Sequence, residues 1–317
     1  MNYRKFETLD VSVSLLGFGA LRLPLLSDDI SDVDEAEAIR MIRYAIDNGV
    51  NYIDMGFLYH GGQSEVVVGK ALRDGYREKA LLATKLSFWM LDRPDEMEGI
   101  ISEQLKRLGT DCIDMYLLHD ISGNRWERVK EWKIFDFLLK QREAGRIRYI
   151  GFSFHGDTTE YFKEVLDEYP WDFCQIQLNY VDTKLQAGLK GYEYAAAKGV
   201  PVVVMEPLKG GTLTEIPSVR VQEYWNSLGG RRSPAEWGLR WVANLPGVLT
   251  VLSGMSTMEQ LSENIRVFSA EGTGAGMMFP AELDVMEKIA EEYRRLIAYP
   301  CTDFAQRPIS YGRSSTW

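Results

Sequence analysis

Short apolar runs alternate along the chain with longer stretches in which apolar residues recur every three to four positions. The short runs predict β-strands near 15–19, 50–53, 80–85, 112–118, 147–153, 173–177, 200–206 and 248–252. The longer stretches predict helices near 34–48, 64–72, 94–108, 126–143, 157–168, 184–198, 233–244 and 257–268. A strand followed by a helix, repeated through the chain, predicts an α/β fold of the (β/α)8 TIM-barrel type over an open doubly wound sheet. Gly49, Gly109, Gly145 and Gly199 each follow a helical run, where a positive φ lets the chain turn toward the next strand. Two segments stand outside the repeat: 3–14 reads as an N-terminal β-hairpin that plugs the barrel bottom, and 280–298 as an extra C-terminal helix. No linker rich in Pro, Gly and Ser interrupts the pattern, so residues 1–298 read as one barrel domain and 299–317 as a tail.

Polar residues stand where the apolar runs stop. Asp54 follows Val50-Asn51-Tyr52-Ile53, Tyr59 comes five residues later, Lys85 ends Leu81-Leu82-Ala83-Thr84, and His119 ends the run Ile113–Leu118. In a parallel barrel the carboxyl ends of neighbouring strands share one mouth, where the chemistry of such barrels is kept. An acid–base centre is therefore expected. Each residue taken singly has a plain structural reading, as a packed Tyr or a solvated loop charge; the four together, on strands predicted to be neighbours, do not.

Composition narrows the partners. A net charge of −10 argues against nucleic acid, whose phosphates need clustered Lys and Arg. Cys112, Cys174 and Cys301 are too few and too far apart for a disulfide framework or a metal knuckle. The polar start, Met1-Asn2-Tyr3-Arg4-Lys5-Phe6-Glu7, lacks the apolar core of a signal peptide, and no apolar run approaches the roughly 18 residues that span a membrane. A cytoplasmic protein acting on a small molecule, as a monomer or weak oligomer, is expected.

Asp54-x4-Tyr59, Lys85 and His119, with Gly17-Phe18-Gly19-Ala20 near the start and Gly254 to Asn264 near the end, resemble the aldo-keto reductase superfamily over nearly the whole chain. The resemblance implies a barrel that binds a nicotinamide cofactor without a Rossmann fold. In agreement, Arg22 stands where a G-x-G-x-x-G fingerprint starting at Gly17 would need its third Gly. It further implies a small carbonyl compound as substrate. Reducing a carbonyl by hydride leaves an alkoxide that must gain a proton, and Tyr59 can supply it. A free phenol, with a pKa of about 10, is too weak an acid at neutral pH. A nearby ammonium stabilises the phenolate, and moving the phenol to neutrality corresponds to about 4 kcal/mol. Lys85 is the ammonium, Asp54 holds it, and a neutral His119 orients the substrate oxygen.

The same resemblance assigns Gly19, Ala20 and Asp54 to the cofactor side of the mouth, and Ser153 and Gln175 to the carboxamide. Met205, Pro207, Leu208 and Gly210, in Met205-Glu206-Pro207-Leu208-Lys209-Gly210-Gly211, would form the loop over the pyrophosphate, where paired Gly residues let backbone N–H groups approach phosphate. Gly254, Ser256 and Gln260 open the last barrel helix, a place suited to the adenosine 2′-phosphate, and Glu263 and Asn264 match adenine contacts. Relatives commonly carry Lys at position 254 and Arg at 260, so NADP(H) is the implied cofactor and NAD(H) remains open. His155 stands one place beyond a usual Asn, and either replaces its amide or lines the substrate pocket with His119 and Trp89. Met90, Trp126, Trp132, Tyr180 and Trp225 are further pocket candidates. Gly151-Phe152-Ser153-Phe154-His155-Gly156 also resembles relatives with a ferredoxin-like tail, but Phe304 and Arg307 follow Cys301 where further thiolates would stand, so no iron–sulfur cluster is expected. Two other classes compete. A barrel glycosidase using Asp54 and Glu206 leaves Lys85 without a role, and a non-catalytic nicotinamide-binding regulatory or redox-sensing module would not need an intact Tyr59 and Lys85.

Overall fold

The computed structural model describes residues 1–229 and 232–296. The tail 299–317, its boundary at 298, and Cys301 lie outside them.

The barrel consists of β3 (Leu16–Gly19), β4 (Tyr52–Asp54), β5 (Leu81–Leu86), β6 (Ile113–Ile121), β7 (Ile147–Phe154), β8 (Phe173–Gln177), β9 (Val202–Met205) and β10 (Val248–Ser253). They pair in parallel in chain order, and β10 closes on β3 with Val251 beside Leu16. These strands are apolar on both faces because one meets the helical shell and the other the barrel interior. The preceding strands β1 (Tyr3–Arg4) and β2 (Val13–Ser14) pair antiparallel. Leu9 and Val13 of this hairpin are buried against Tyr52, Met115, Leu117, Phe173 and Leu249, which fills the lower barrel and leaves the opposite mouth to polar groups.

The outer layer comprises α1 (Glu35–Asp47), α2 (Gln63–Ala71), α3 (Met97–Leu108), α4 (Arg125–Glu131), α5 (Ile134–Glu143), α6 (Thr159–Glu168), α7 (Gly188–Ala197), α8 (Val219–Ser227), α9 (Pro234–Ala243) and α10 (Met258–Ser269), followed by α11 (Pro280–Leu296). Asp34, Thr158, Ser233 and Thr257 cap their helices by accepting from backbone N–H groups of the first turn. The four glycines expected at helix ends have φ between 63° and 91°.

Three expectations are corrected. The single helix near 126–143 is two, broken where Lys133 adopts a φ of 50°. The break restores the inward face: Trp126 and Val129 are buried before it, and Ile134, Phe135 and Leu138 after it, a spacing that one continuous helix would not keep facing the core. The helix expected from 184 starts at Gly188. Between β9 and α9 lies α8, which the alternating strand–helix reading left out although Val221 and Trp225 recur at helical spacing; Ser218 caps it, and Trp225 packs beside Trp237 in a satellite cluster with Met286 and Tyr293 of α11. Among the described residues no helix is long and apolar enough to cross a membrane.

Candidate active site

Register carries the strand ends to one mouth: Gly19 lies beside Asp54, Asp54 beside Ala83, Lys85 beside Leu117, and Ser153 beside Gln175. Lys85, fully buried, donates to Asp54 Oδ1 at 2.7 Å and to the Met55 carbonyl at 2.6 Å. Its Nζ is 4.9 Å from the centroid of the Tyr59 ring, and the two side chains are hydrogen-bonded. Burial alone would lower the Lys85 pKa; the charges of Asp54 and Tyr59 reverse this and raise it, so the ammonium persists. Burial likewise raises Asp54 against the pull of Lys85. At 2.7 Å the ion pair satisfies Asp54 Oδ1, while Oδ2 is buried without a hydrogen-bond partner among the described residues.

The turn after β4 shapes Tyr59. Its N–H donates to the Gly56 carbonyl at 3.0 Å. A side chain at Gly56 would meet the ring at 2.8 Å, so only glycine lets the phenol fold over this turn. His60, with φ of 54°, pins the turn to the loop after β3: its Nε2 accepts from the Leu23 N–H at 3.2 Å, leaving Nδ1–H to donate to the Ile30 carbonyl at 2.7 Å. Such strained backbone is held only where its surroundings over-determine it. Across the mouth, the His119 ring lies 5.9 Å from that of Tyr59, nearly perpendicular to it. Burial first, then the Lys85 ammonium, lowers its pKa to about 3, so the imidazole is neutral. Ser87 Oγ meets His119 Nδ1 at 2.7 Å; when the hydroxyl donates, Nε2 carries the proton.

Trp89 stands 6.3 Å from His119. The Arg125 guanidinium lies 4.6 Å over the Trp89 ring and pairs with Asp120, whose φ is 58°. His155, half-buried, faces Asp120 and Arg125, and burial lowers its pKa. Trp126, Tyr180 and Trp225 are instead buried in packing clusters, and Met90 is exposed. Trp132, half-buried, lies under the Arg128 guanidinium.

Beside these residues runs a groove of about 480 Å³, lined by Arg22, Glu206 to Leu208, Gly210, Gly211, Ser253 to Ser256, Gln260, Glu263 and Asn264. Backbone φ is positive at Glu206, Lys209, Gly210 and Gly211, which shapes the loop after β9. Among the described residues, Ser153 Oγ and Gln175 Oε1 are buried without a hydrogen-bond partner, and Gln175 Nε2 has only the Met205 sulfur at 3.4 Å. Native structures seldom leave such groups unpaired. A hydroxyl beside an amide, side by side on β7 and β8, matches the donors and acceptor of a carboxamide, so the residues fit a nicotinamide. At the other end, Gln260 Oε1 accepts from Ser256 N, Glu263 accepts from Ser233 Oγ, and Asn264 donates to Ser253 Oγ. Gly19 pairs beside Asp54 at the end of β3, and Ala20 N donates to the Asp54 carbonyl.

A family model for the aldo/keto reductase family matches residues 15–273. The chain belongs to the aldo/keto reductase family. It is 27% identical to L-galactose dehydrogenase of Arabidopsis thaliana, over 92% of this chain and 95% of that protein. It is 24% identical to an NADH-specific methylglyoxal reductase of Escherichia coli, over 91% and 98%. Among solved structures, the holo form of an aldo-keto reductase from Bacillus halodurans superposes with a TM-score of 0.73 at 26% identity, covering 91% of this chain and 96% of that one.

Sequence reasoning overlooked Ser87, Asp120, Arg125 and the structural role of His60. Ser87 had a signal, since it lies two residues beyond Lys85 and so shares its face of the strand. The others depend on loop paths.

Proposed function

We propose that this oxidoreductase reduces aldehyde or ketone groups to alcohols with NAD(P)H, with Tyr59 as the general acid. The observation that carries the proposal is the buried Lys85 ammonium, held by Asp54 and hydrogen-bonded to Tyr59 opposite a neutral imidazole. A bound nicotinamide nucleotide supplies the hydride. Asp54 keeps Lys85 charged and in place. Lys85 favours the phenolate and so makes Tyr59 a stronger acid, able to deliver its proton to the substrate oxygen. His119, oriented by Ser87, donates to that oxygen and aligns the carbonyl, while Trp89 and His155 border the substrate. In alcohol oxidation Tyr59 takes the proton back.

Ser153 and Gln175 would hold the carboxamide, with Met205 against the ring. Pro207, Leu208 and Gly210 would cover the pyrophosphate, and Gly254, Ser256, Gln260, Glu263 and Asn264 would surround the adenosine. Neither position 254 nor 260 carries a cation, and Lys209 is paired with the buried Asp182, away from the groove. These features support only a modest preference between NADPH and NADH.

A panel of aldehydes and ketones assayed with NADPH and NADH in parallel tests the proposal. Substrate-dependent oxidation of either cofactor is expected; nucleotide binding without turnover across the panel would instead mark a non-catalytic module.

A further inference from the structure

Gly254 is the position where relatives carry a clamping lysine, and the space its side chain would enter is already taken. A Cβ at Gly254 would lie 3.0 Å from Cδ of Arg22 and 3.2 Å from its Cβ and Cγ. Arg22 comes from the loop after β3, crosses Gly254, and brings Nη2 to 3.2 Å from the point where a Cβ on Gly210 would stand. Its guanidinium therefore ends at the turn after β9, where φ is 65° at Gly210 and 99° at Gly211.

Three further observations bear on what Arg22 does there. Among the described residues it is the one cation lining the groove, which also carries the carboxylates of Glu206, Glu215 and Glu263. Without a cation, a diphosphate entering such a groove would meet three carboxylates opposed only by backbone N–H groups. Arg22 makes no ion pair and no side-chain hydrogen bond within the described residues, although its exposure leaves it free to do so. Its backbone is nevertheless fixed: Ser256 Oγ donates to the Arg22 carbonyl at 2.9 Å, and the next N–H, of Leu23, is held by His60. A pinned backbone carrying an unpaired guanidinium, with five donors suited to phosphate oxygens, is a prepared anion contact.

We infer that Arg22 is the cation that holds the diphosphate of the nicotinamide nucleotide, reaching over Gly254 to the Gly210 turn. This rests on the proposed use of a nicotinamide cofactor. Gly254 is then the clearance that lets a cation from the far end of the chain serve the groove, and NADH and NADPH use it equally because both carry the diphosphate.

The test is the dissociation constants of NADH and NADPH, followed by fluorescence, for the wild type, Arg22→Met, and the double variant Arg22→Ala/Gly254→Lys. Arg22→Met should weaken both nucleotides by roughly 10- to 100-fold, the loss of one charge-assisted hydrogen bond. The double variant, with its lysine at the position relatives use, should regain much of that loss. Because Arg22 is exposed, unfolding curves of all three proteins should nearly coincide. Unchanged affinity for both nucleotides in Arg22→Met would overturn the inference and leave the cofactor reading standing. Weakening confined to NADPH would overturn the diphosphate assignment in favour of the 2′-phosphate. Failure of the wild type to bind either nucleotide would overturn the cofactor reading itself, and this inference with it.

Discussion

The proposed reaction centre and the proposed nucleotide groove lie side by side at one mouth, yet they are built on different plans. In the centre, the reactive groups find partners within the protein: Lys85 is shared by Asp54, the Met55 carbonyl and Tyr59, and His119 is held by Ser87. Beside and along the groove, Ser153 Oγ and Gln175 Oε1 are buried without partners and Arg22 is unpaired among the described residues. Apart from Asp54 Oδ2, which is buried without a hydrogen-bond partner among the described residues, the centre is paired before anything binds, as electrostatic preorganisation requires. The groove holds its polar groups in waiting, at about 1–3 kcal/mol for each buried unsatisfied group, which the surrounding barrel must offset.

The largest effect should come from the centre. Tyr59→Phe removes the proton donor and should lower turnover by at least about 10²-fold while nucleotide affinity stays nearly constant. Steady-state rates with fluorescence titration check this, and unchanged turnover would sink the assignment of Tyr59.

Next comes Lys85→Met. Without the ammonium the phenol should return toward about 10. Alcohol oxidation needs the phenolate, so its rate at neutral pH should collapse and its pH profile move upward. His119, now freed from the Lys85 charge but still lowered mainly by burial, should rise only part of the way toward its ordinary value. Oxidation rates from about pH 6 to 10, with imidazole resonances followed by NMR, test both statements. An unmoved profile would make Lys85 structural. Because the single variant strands Asp54 in the interior, at about 3–5 kcal/mol, the double variant Asp54→Asn/Lys85→Met should be measured beside it.

The groove should respond in the opposite sense. Ser153→Ala removes a hydroxyl that has no hydrogen-bond partner among the described residues, so the free protein should lose little stability or gain some. Nucleotide affinity should nevertheless fall several-fold, read by titration alongside thermal unfolding. A large loss of stability with unchanged affinity would show that the two regions do not differ as described.

The smallest effect concerns cofactor choice. With no cation at Gly254 or Gln260, the NADPH-to-NADH ratio in kcat/KM should lie below about 10³, and Gln260→Arg should raise it by roughly 10-fold. A ratio that falls or stays fixed would remove position 260 from the phosphate site.

What the sequence by itself determined is what short-range periodicity encodes. Apolar runs leading to Asp54, Lys85 and His119 are legible because a parallel strand is buried on both faces and turns polar near the mouth, although β5 and β6 continue past Lys85 and His119 to Leu86 and Ile121. The helix-ending glycines are legible for a similarly local reason, since each answers to its own turn. Tertiary structure decided what depends on loop paths and on barrel closure. Only the pairing of β10 with β3 brings Arg22 over Gly254, and only the turn after β4 hands His60 to the loop after β3. Likewise the buried face of α8 is covered by Trp237 of the next helix and by α11, which only the tertiary structure brings to it. Periodicity is fixed by neighbours in sequence, whereas which distant loops share one groove is fixed by how the whole barrel closes.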